Sequence, residues 1–206
     1  MSFLREQSFT EKREQWSPEK EAIARKAASM VEEGDIVGLT GGTTTYLIAK
    51  ELKLHRGITV VTNAVNIAME LADSEGVQVV LTGGVVRKNS YELCGPLAEK
   101  IVESLNIGKM FMGIDGITAE QGVTTYSELE AHIARLMLQR SLQTYAVFDH
   151  TKVGKASLFG IAPLSAPRGC ITDRRPEAAF ADLLQQQGLE LHLAELTAVP
   201  GNEGPA

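Results

Sequence analysis

A glycine pair followed by three threonines is the part of this sequence with the clearest potential to bind a ligand. The apolar run Ile36–Leu39 leads into the segment Thr40–Thr45, which reads Thr-Gly-Gly-Thr-Thr-Thr, and a helical pattern begins at Tyr46. Glycines can adopt positive φ and expose backbone N–H groups, hydroxyls add donors, and a helix N-terminus favours negative charge. The segment therefore predicts a strand, a tight turn and a helix start that together can bind a phosphate group.

The spacing within this segment limits the kind of phosphate ligand. A nucleotide P-loop requires a lysine directly after the glycines, and a dinucleotide site requires the spacing G-x-G-x-x-G, whereas Thr43 follows Gly42 here. We therefore expect a small phosphorylated ligand rather than ATP or NAD. The loop alone is equally compatible with a structural role, in which the glycines form a turn and Thr43 or Thr44 caps the helix.

Composition and charge narrow the function classes. A chain of 206 residues, 44% hydrophobic and 22% charged, suits one compact domain with a sizeable core. The net charge of −6 lacks the basic face that sequence-independent DNA binding requires. The sequence shows no signal-peptide pattern, no apolar run long enough to span a bilayer, and only two cysteines. We expect a protein of the reduced cytoplasm that makes no membrane contact.

The four histidines show no metal-ligand spacing, either among themselves or with the cysteines. We therefore expect neither a metal site nor a cofactor. His150 follows an expected strand and is a candidate for contact with ligand hydroxyls. His132 lies in a helical pattern, where packing or solvent exposure is the simpler role.

Helix and strand patterns alternate along the chain. Ser17 and Pro18 begin the first helix, with Ser17 as its N-cap and Gly34 as its expected C-cap. Short apolar strands joined by helices predict an α/β fold with a mostly parallel, open sheet covered by helices on both faces. The expected strands are Ile36–Leu39, Ile58–Val61, Val77–Leu81, Met110–Met112, Tyr145–Phe148, Cys170–Ile171 and Leu189–Leu193. The later helices are expected at Thr44–Leu52, Val65–Ala72, Pro96–Leu105, Glu128–Gln143 and Glu177–Gln187.

Polar or glycine-rich residues follow nearly every expected strand. In open parallel sheets ligands bind beyond the carboxyl ends of the strands, so these residues mark the expected site. Thr62-Asn63 and Thr172-Asp173 also suit helix N-caps, and we favour that role for both pairs. Lys152 is a cation that would complete a phosphate site, whereas Lys88 and Lys155 better fit solvated surface charge.

The order and spacing of these pieces make the region from Glu19 to Leu193 similar to the C-terminal effector-sensing domain of the DeoR family of bacterial transcription regulators. The pieces that carry the resemblance include Gly34-Asp35, Gly42-Thr43-Thr44-Thr45, Val61-Thr62-Asn63, Thr82-Gly83-Gly84, Gly95-Pro96, Gly113-Ile114-Asp115-Gly116-Ile117, Glu130-Ala131, Asp149-His150-Thr151-Lys152-Val153-Gly154 and Ile171-Thr172-Asp173.

The resemblance implies a fold similar to ribose-5-phosphate isomerase, a sugar-phosphate effector in the cleft at the strand ends, and control of sugar-metabolism genes by a repressor. It also implies a homo-oligomer, either a dimer or a tetramer. On this interpretation residues 1–16 are a linker remnant with little structure of its own, residues 17–196 form the sensing domain, and residues 197–206 are a flexible tail. The N-terminal helix-turn-helix domain would be absent, so operator DNA would be bound only through that missing part.

The expected ligand-binding residues come from the polar strand ends and from the resemblance. We expect Gly41–Thr45 and Lys152 to bind the phosphate, and Asp115, Asn63 and either Arg87 or His150 to bind sugar hydroxyls. Many members of the family have an acidic residue where Thr40 stands. The complete expected set is Thr40, Gly41, Gly42, Thr43, Thr44, Thr45, Thr62, Asn63, Gly83, Gly84, Arg87, Asp115, Gly116, Glu130 and Lys152.

An active sugar-phosphate isomerase is the main alternative, because the same architecture hosts such enzymes. Isomerisation needs a carboxylate base and a cation or acid that polarises the carbonyl. Ribose-5-phosphate isomerases resemble this chain at Thr40–Thr44 and partly at Asp115, but then carry a lysine, and none occurs here between Lys109 and Lys152. We therefore expect a binding domain without catalytic residues.

Two simpler roles remain open for residues of the next helix. Ser127 and Glu130 match a capping box, which would give Glu130 a structural rather than a chemical role. Leu129, Ile133, Leu136 and Met137 lie at helical spacing and suit either the core or a second subunit, so an assembly module is a third alternative.

Overall fold

The computed structural model describes residues 6–196 and contains one large sheet with helices on both faces. Its helices are α1 (Phe9–Arg13), α2 (Ser17–Ala28), α3 (Thr43–Leu52), α4 (Val65–Leu71), α5 (Pro96–Glu103), α6 (Glu128–Gln139) and α7 (Ala178–Gln186). Its strands are β1 (Ile36–Leu39), β2 (Ile58–Thr62), β3 (Val77–Leu81), β4 (Val85–Arg87), β5 (Glu92–Cys94), β6 (Ile107–Gly113), β7 (Gly116–Thr118), β8 (Gly122–Thr125), β9 (Ser141–Val147), β10 (Phe159–Ala162), β11 (Gly169–Thr172) and β12 (Glu190–Leu193).

The large sheet has seven strands in the order β12-β11-β9-β6-β1-β2-β3, and all of its neighbouring strands run parallel. Ile23 of α2, Ile48 of α3 and Ile67 of α4 belong to one buried cluster. Ile133 of α6 and Leu184 of α7 belong to a second cluster, together with the inner residues of α5. The predicted α/β fold, with a mostly parallel sheet covered on both faces, is confirmed.

The register of the central strands aligns their carboxyl ends. Leu39, the last residue of β1, pairs with Thr62 of β2 and with Phe111 of β6. Gly113, the last residue of β6, pairs with Val147, the last residue of β9. The loops that follow β1, β6 and β9 therefore emerge side by side at one edge of the sheet.

Two smaller sheets lie beside this edge, and the sequence pattern predicts neither of them. β10, β8 and β7 form an antiparallel three-stranded sheet, and β4 pairs with β5 as an antiparallel hairpin. Their strands have only three or four residues each, and each strand contains a polar or glycine residue, so they lack the apolar run that signals a buried strand.

Several predicted element ends are wrong. α6 ends at Gln139 rather than at Gln143, because Ser141 already begins β9 and pairs with Ile107 of β6. α2 ends at Ala28 rather than next to Gly34, which instead lies in a later turn with φ +91°. Its N-cap is Trp16, in the left-handed region, rather than Ser17.

Residues 6–16 are ordered, contrary to the expectation of little structure. Ser8 and Glu11 form a capping box at the start of α1, in which each side chain accepts the backbone N–H of the other residue. Phe9 of this helix is buried. The expected flexible tail, residues 197–206, lies outside the described residues. No helix within residues 6–196 has both the length and the apolar character that a bilayer crossing requires.

Candidate functional site

A cavity of about 100 Å³ lies at the carboxyl edge of the large sheet. The loops after β1, β6 and β9 form three of its walls. The rest of the lining comes from the hairpin β4-β5, the strand β8, α6 and the segment before α2. The expected ligand-binding residues that line it are Thr40, Gly41, Gly42, Thr43, Thr44, Asp115, Glu130 and Lys152. The lining residues that were not expected include Lys12, Lys20, Glu92, Thr125 and Asp149.

The N-terminus of α3 faces this cavity with unused hydrogen-bond donors. Gly42 is the N-cap, at φ 138°, and no side chain caps the helix, so the first-turn N–H groups lack intrahelical partners. The Thr45 hydroxyl donates to the Gly42 carbonyl oxygen at 3.0 Å and points away from the cavity. The hydroxyls of Thr43 and Thr44 have no hydrogen-bond partner within residues 6–196. The structural alternative, a cap by Thr43 or Thr44, is therefore wrong.

The Gly41 amide, by contrast, is already occupied. It donates to Asn63 Oδ1 and to Glu92 Oε1, each at 3.2 Å. Asn63 also donates to Glu92 Oε1 at 3.2 Å and lies behind the loop rather than at the cavity surface. Asn63 thus supports the loop, and it does not cap α4, whose N-cap is Ala64.

Glu92 is a buried carboxyl group in the cavity wall that the sequence pattern does not identify. Burial, followed by the charge of the neighbouring Glu130 and a hydrogen bond to it, raises the pKa of Glu92 well above its ordinary value of 4.5. The neutral form of Glu92 is therefore favoured over the charged form relative to an exposed glutamate. No motif surrounds this residue, and only the pairing of the β4-β5 hairpin beside Ala64 brings it to Gly41.

Glu130 belongs to the site rather than to a complete capping box. The Ser127 hydroxyl accepts the Glu130 N–H at 3.5 Å, so Ser127 is the N-cap of α6 as predicted. The Glu130 carboxylate, however, accepts hydrogen bonds from Arg87 and from the Thr125 hydroxyl. The simpler role that the sequence suggests for Glu130 is therefore wrong.

Asp115 lies opposite this carboxylate. Its Oδ2 accepts the Thr125 hydroxyl at 3.0 Å, and its Oδ1 is 2.7 Å from Lys12 Nζ. Because the Thr125 hydroxyl carries one proton, it serves either Asp115 or Glu130 at any moment. This region of the cavity offers carboxylate oxygens and one hydroxyl, which are groups that bind sugar hydroxyls.

Two lysines add positive charge to the lining of the cavity. Lys20 is 4% exposed and its ammonium donates to the backbone oxygens of Lys12 and Gln15, each at 2.6 Å. Burial is the main reason why the pKa of Lys20 falls from 10.5 to about 8. Lys152 is half-buried, and its ammonium has no hydrogen-bond partner in the part of the chain that the structure describes.

The remaining expected residues lie outside the cavity surface. The Thr62 hydroxyl donates to the Leu39 carbonyl oxygen at 2.8 Å, and Arg87 acts behind the wall by pairing with Glu130 and Glu6. His150 Nδ1 is 2.8 Å from Asp173, which holds it away from the cavity and does not cap α7. Thr45, Gly83, Gly84 and Gly116 do not line the cavity either.

Lys88 and Lys155 lie at the surface, and two apolar residues of α6 pack in the core, which are the simpler of the roles that the sequence allows. Lys88 and Lys155 are exposed. Ile133 and Met137 are fully buried in the core, whereas Leu129 is exposed. Residues 6–196 contain no group of three or more His, Cys, Asp or Glu side chains that could hold a metal ion.

The model of the DeoR C-terminal sensor domain matches residues 16–174 of this sequence. The chain belongs to the DeoR family. It is 37% identical over 189 residues to the HTH-type transcriptional repressor GlcR of Bacillus subtilis, covering 92% of this chain and 72% of the repressor. It is 35% identical to the HTH-type transcriptional regulator GolR of Listeria innocua, covering 86% of this chain and 70% of GolR. The resemblance derived from the motifs is confirmed, and this DeoR-family chain carries the effector-sensing domain of a transcriptional regulator.

Solved structures with a similar fold are more distant. Ribose 5-phosphate isomerase A of Methanocaldococcus jannaschii is 14% identical with a TM-score of 0.49, covering 65% of this chain and 53% of the isomerase. Translation initiation factor eIF-2B of Pyrococcus horikoshii OT3 is 14% identical with a TM-score of 0.50, covering 75% of this chain and 62% of the factor. The likeness to the initiation factor concerns the fold alone.

Proposed function

We propose that this DeoR-family domain senses a phosphorylated sugar in the cavity at the carboxyl edge of its sheet. The observation that supports this most is a set of unused donors in the cavity lining, here termed the phosphate end: the first-turn N–H groups of α3, the hydroxyls of Thr43 and Thr44, and the ammonium of Lys152. Unsatisfied N–H groups at a helix N-terminus together with a nearby ammonium suit a phosphate dianion.

The opposite end of the cavity suits the sugar. Asp115 and Glu130 offer carboxylate oxygens, and the Thr125 hydroxyl lies between them at 3.0 and 3.1 Å. Thr40 lines the same cavity, although its hydroxyl already accepts the Gly113 N–H at 3.0 Å. A ligand with a phosphate at one end and hydroxyls at the other matches both sets of groups.

Regulation would follow from unequal binding to two conformations. We propose that the domain forms a dimer or a tetramer, and that the effector shifts the population of two states of this oligomer. The shift would change the spacing of DNA-binding parts outside this domain, in the cytoplasm where they meet operator DNA. A dimer or a tetramer agrees with the two-fold symmetry that operators recognised by such regulators generally show.

An isomerase remains the second candidate, because the cavity contains carboxylates that could move a proton. Asp115 is paired with Lys12 and Glu130 with Arg87, so neither carboxylate is free to act as a base in this state. The stretch between Lys109 and Lys152 also lacks the lysine that such enzymes carry. We therefore favour binding without turnover.

Thermal unfolding against paired sugars and sugar phosphates tests the proposal. A specific ligand at a hundred times its Kd stabilises the folded state by about 2.7 kcal/mol, so one phosphorylated sugar should raise the Tm while its unphosphorylated partner should not. Chemical conversion of that sugar during incubation would instead support the isomerase. No shift with any phosphorylated sugar would contradict the proposed ligand class.

Lys152→Ala tests the phosphate end, with Lys155→Ala as the matched control. Lys155 lies three residues away and is exposed, so both variants remove one positive charge from the same loop. We expect Lys152→Ala to weaken binding by about 10- to 100-fold, which corresponds to the loss of one charge-assisted hydrogen bond. Equal affinity in the two variants would show that Lys152 does not contact the phosphate.

A further inference from the structure

Residues 6–16, here termed the N-terminal strap, form one wall of the cavity. Glu6, Phe9, Lys12, Gln15 and Trp16 all line it. The family model begins at residue 16 and describes a C-terminal sensor domain, so the strap lies immediately before the matched region. The strap therefore connects the cavity with whatever precedes the sensor domain in members of this family.

Aromatic packing fixes the middle of the strap. Phe9 is 8% exposed and makes edge-to-face contacts with Tyr46, at 5.6 Å between ring centroids, and with Tyr91, at 5.5 Å. Its backbone N–H donates to the Asn89 oxygen at 2.7 Å. Tyr46 belongs to α3, the helix whose N-terminus faces the cavity. The strap therefore packs against the same helix that provides the proposed phosphate-binding N–H groups.

Ion pairs join the strap to the groups that would bind the sugar. Lys12 Nζ is 2.7 Å from Asp115 Oδ1, and Glu6 accepts two hydrogen bonds from Arg87 at 3.0 Å. Arg87 in turn pairs with Glu130. A ligand that takes over Asp115 must therefore compete with Lys12 of the strap, and one that takes over Glu130 disturbs the arginine that also holds Glu6.

Lys20 joins the strap to the phosphate end in the same way. Its ammonium donates to the backbone oxygens of Lys12 and Gln15, which both belong to the strap. Lys20 also lines the cavity beside Lys152. An anion near these two lysines would offer the Lys20 ammonium a stronger acceptor than backbone carbonyls.

The limited space in the cavity also favours a rearrangement. The cavity measures about 100 Å³, whereas pockets for small molecules measure roughly 300–1,000 Å³. Strap residues form part of its wall, so movement of the strap would enlarge the space for a sugar phosphate. This movement would break the polar contacts of the strap and expose the buried ring of Phe9.

We propose that the N-terminal strap and the sugar phosphate compete for the same cavity, so that effector binding releases residues 6–16. This inference rests on the proposed function, because it needs a phosphorylated ligand in the cavity. Release would transmit occupancy to the part of the regulator that precedes residue 16. The ligand needs no contact with that part.

Phe9→Ala tests the competition without changing the charge of the cavity. If strap docking opposes binding, loosening it raises the competent fraction, so the sugar phosphate found in the thermal panel should bind about fivefold more tightly. The control is Arg13→Ala in the same helix, because Arg13 is exposed and does not line the cavity. Unchanged or weaker binding by Phe9→Ala would overturn the inference.

Amide hydrogen exchange over residues 6–16 gives an independent measurement. In the unaltered chain, the saturating sugar phosphate should speed exchange in the strap and slow it at the start of α3. Lys12→Ala should speed strap exchange without ligand, which verifies that the Asp115 contact holds the strap. Slower strap exchange with ligand would overturn the inference while leaving the proposed function intact. Failure of every sugar phosphate to bind both the unaltered chain and Phe9→Ala would overturn both proposals.

Discussion

The Glu92 carboxyl oxygen lies 3.2 Å from the amide nitrogen of Gly41, and this approach depends on the missing side chain at position 41. A Cβ on Gly41 would lie 2.1 Å from Glu92 Cγ and 2.4 Å from its Cδ. Such distances are far below van der Waals contact, so any larger residue must displace the buried Glu92 side chain. Gly41 thus allows the loop after β1 to pack against a hairpin that is distant in sequence.

Gly41→Ala should therefore destabilise the fold. Overpacking a well-packed position typically costs about 1–3 kcal/mol, and we expect this variant to lie in that range because Glu92 is fully enclosed. Urea unfolding monitored by circular dichroism measures the change. Gly160→Ala is the control, since a Cβ there would have no atom within 4 Å. That change should stay within about 0.5 kcal/mol.

A double variant distinguishes this clash from other effects of alanine. With Glu92→Ala already in place, the added Gly41→Ala should cost nothing further, because the colliding side chain is gone. An equal cost of Gly41→Ala in both backgrounds would show that the loop backbone, rather than Glu92, requires glycine.

Glu92→Gln should preserve the fold and become more favourable as pH rises. Burial and the neighbouring Glu130 raise the pKa of Glu92 in the folded state, whereas in the unfolded chain it is about 4.5. Above pH 4.5 the folded state therefore binds more protons than the unfolded state. The contribution of Glu92 to the free energy of unfolding consequently falls as pH rises. Glutamine does not titrate, so the free energy of unfolding of Glu92→Gln minus that of the unaltered chain should increase with pH.

Glu70→Gln provides a comparison with the opposite sign. A hydrogen bond from Tyr46 at 2.6 Å is the main reason why the pKa of Glu70 is lowered, with Lys53 as the next cause. Its stabilising contribution is present above pH 4.5 and lost as pH falls, so Glu70→Gln should be less stable than the unaltered chain at neutral pH. Parallel pH profiles for the two variants would contradict a raised pKa of Glu92 in the folded state.

The parts of the fold that the sequence predicts are those encoded locally. β1 and β3 begin and end at the predicted residues, because each is a short apolar run bounded by polar or glycine residues. Five of the cavity-lining residues are consecutive, Thr40–Thr44, and the sequence predicts this part of the lining because it follows directly on such a strand. Local patterns also explain the error in α6, whose amphipathic spacing continues past Gln139 although pairing with β6 begins β9 at Ser141.

The parts of the fold and of the candidate site that the sequence does not predict depend on contacts between segments that are distant in the chain. Glu92 is one acid in a three-residue strand, and it becomes a site residue only because the hairpin folds against Gly41 and Asn63. α1 has five residues, too few for a helical repeat, and its single buried ring packs on Tyr46 and Tyr91. Neither a periodicity nor a motif signals such contacts.

Lys20 provides a final prediction, because it is a buried cation with two backbone acceptors. Burial lowers its pKa to about 8 in the folded state, against 10.5 in the unfolded chain. Between these pH values the unfolded state binds more protons, so this residue makes the folded state more stable as pH rises. The free energy of unfolding of the unaltered chain minus that of Lys20→Met should therefore increase from about pH 8 to pH 10.5.

Lys12→Met is the matched control, since Lys12 contributes the neighbouring ammonium of the same cavity. Burial alone would lower the pKa of Lys12, but the Asp115 carboxylate outweighs it and the pKa is raised above 10.5. Its contribution to stability should stay constant from pH 8 to pH 10 and decline only at higher pH. If the two differences instead run parallel over this range, the Lys20 ammonium is not the group that titrates near pH 8.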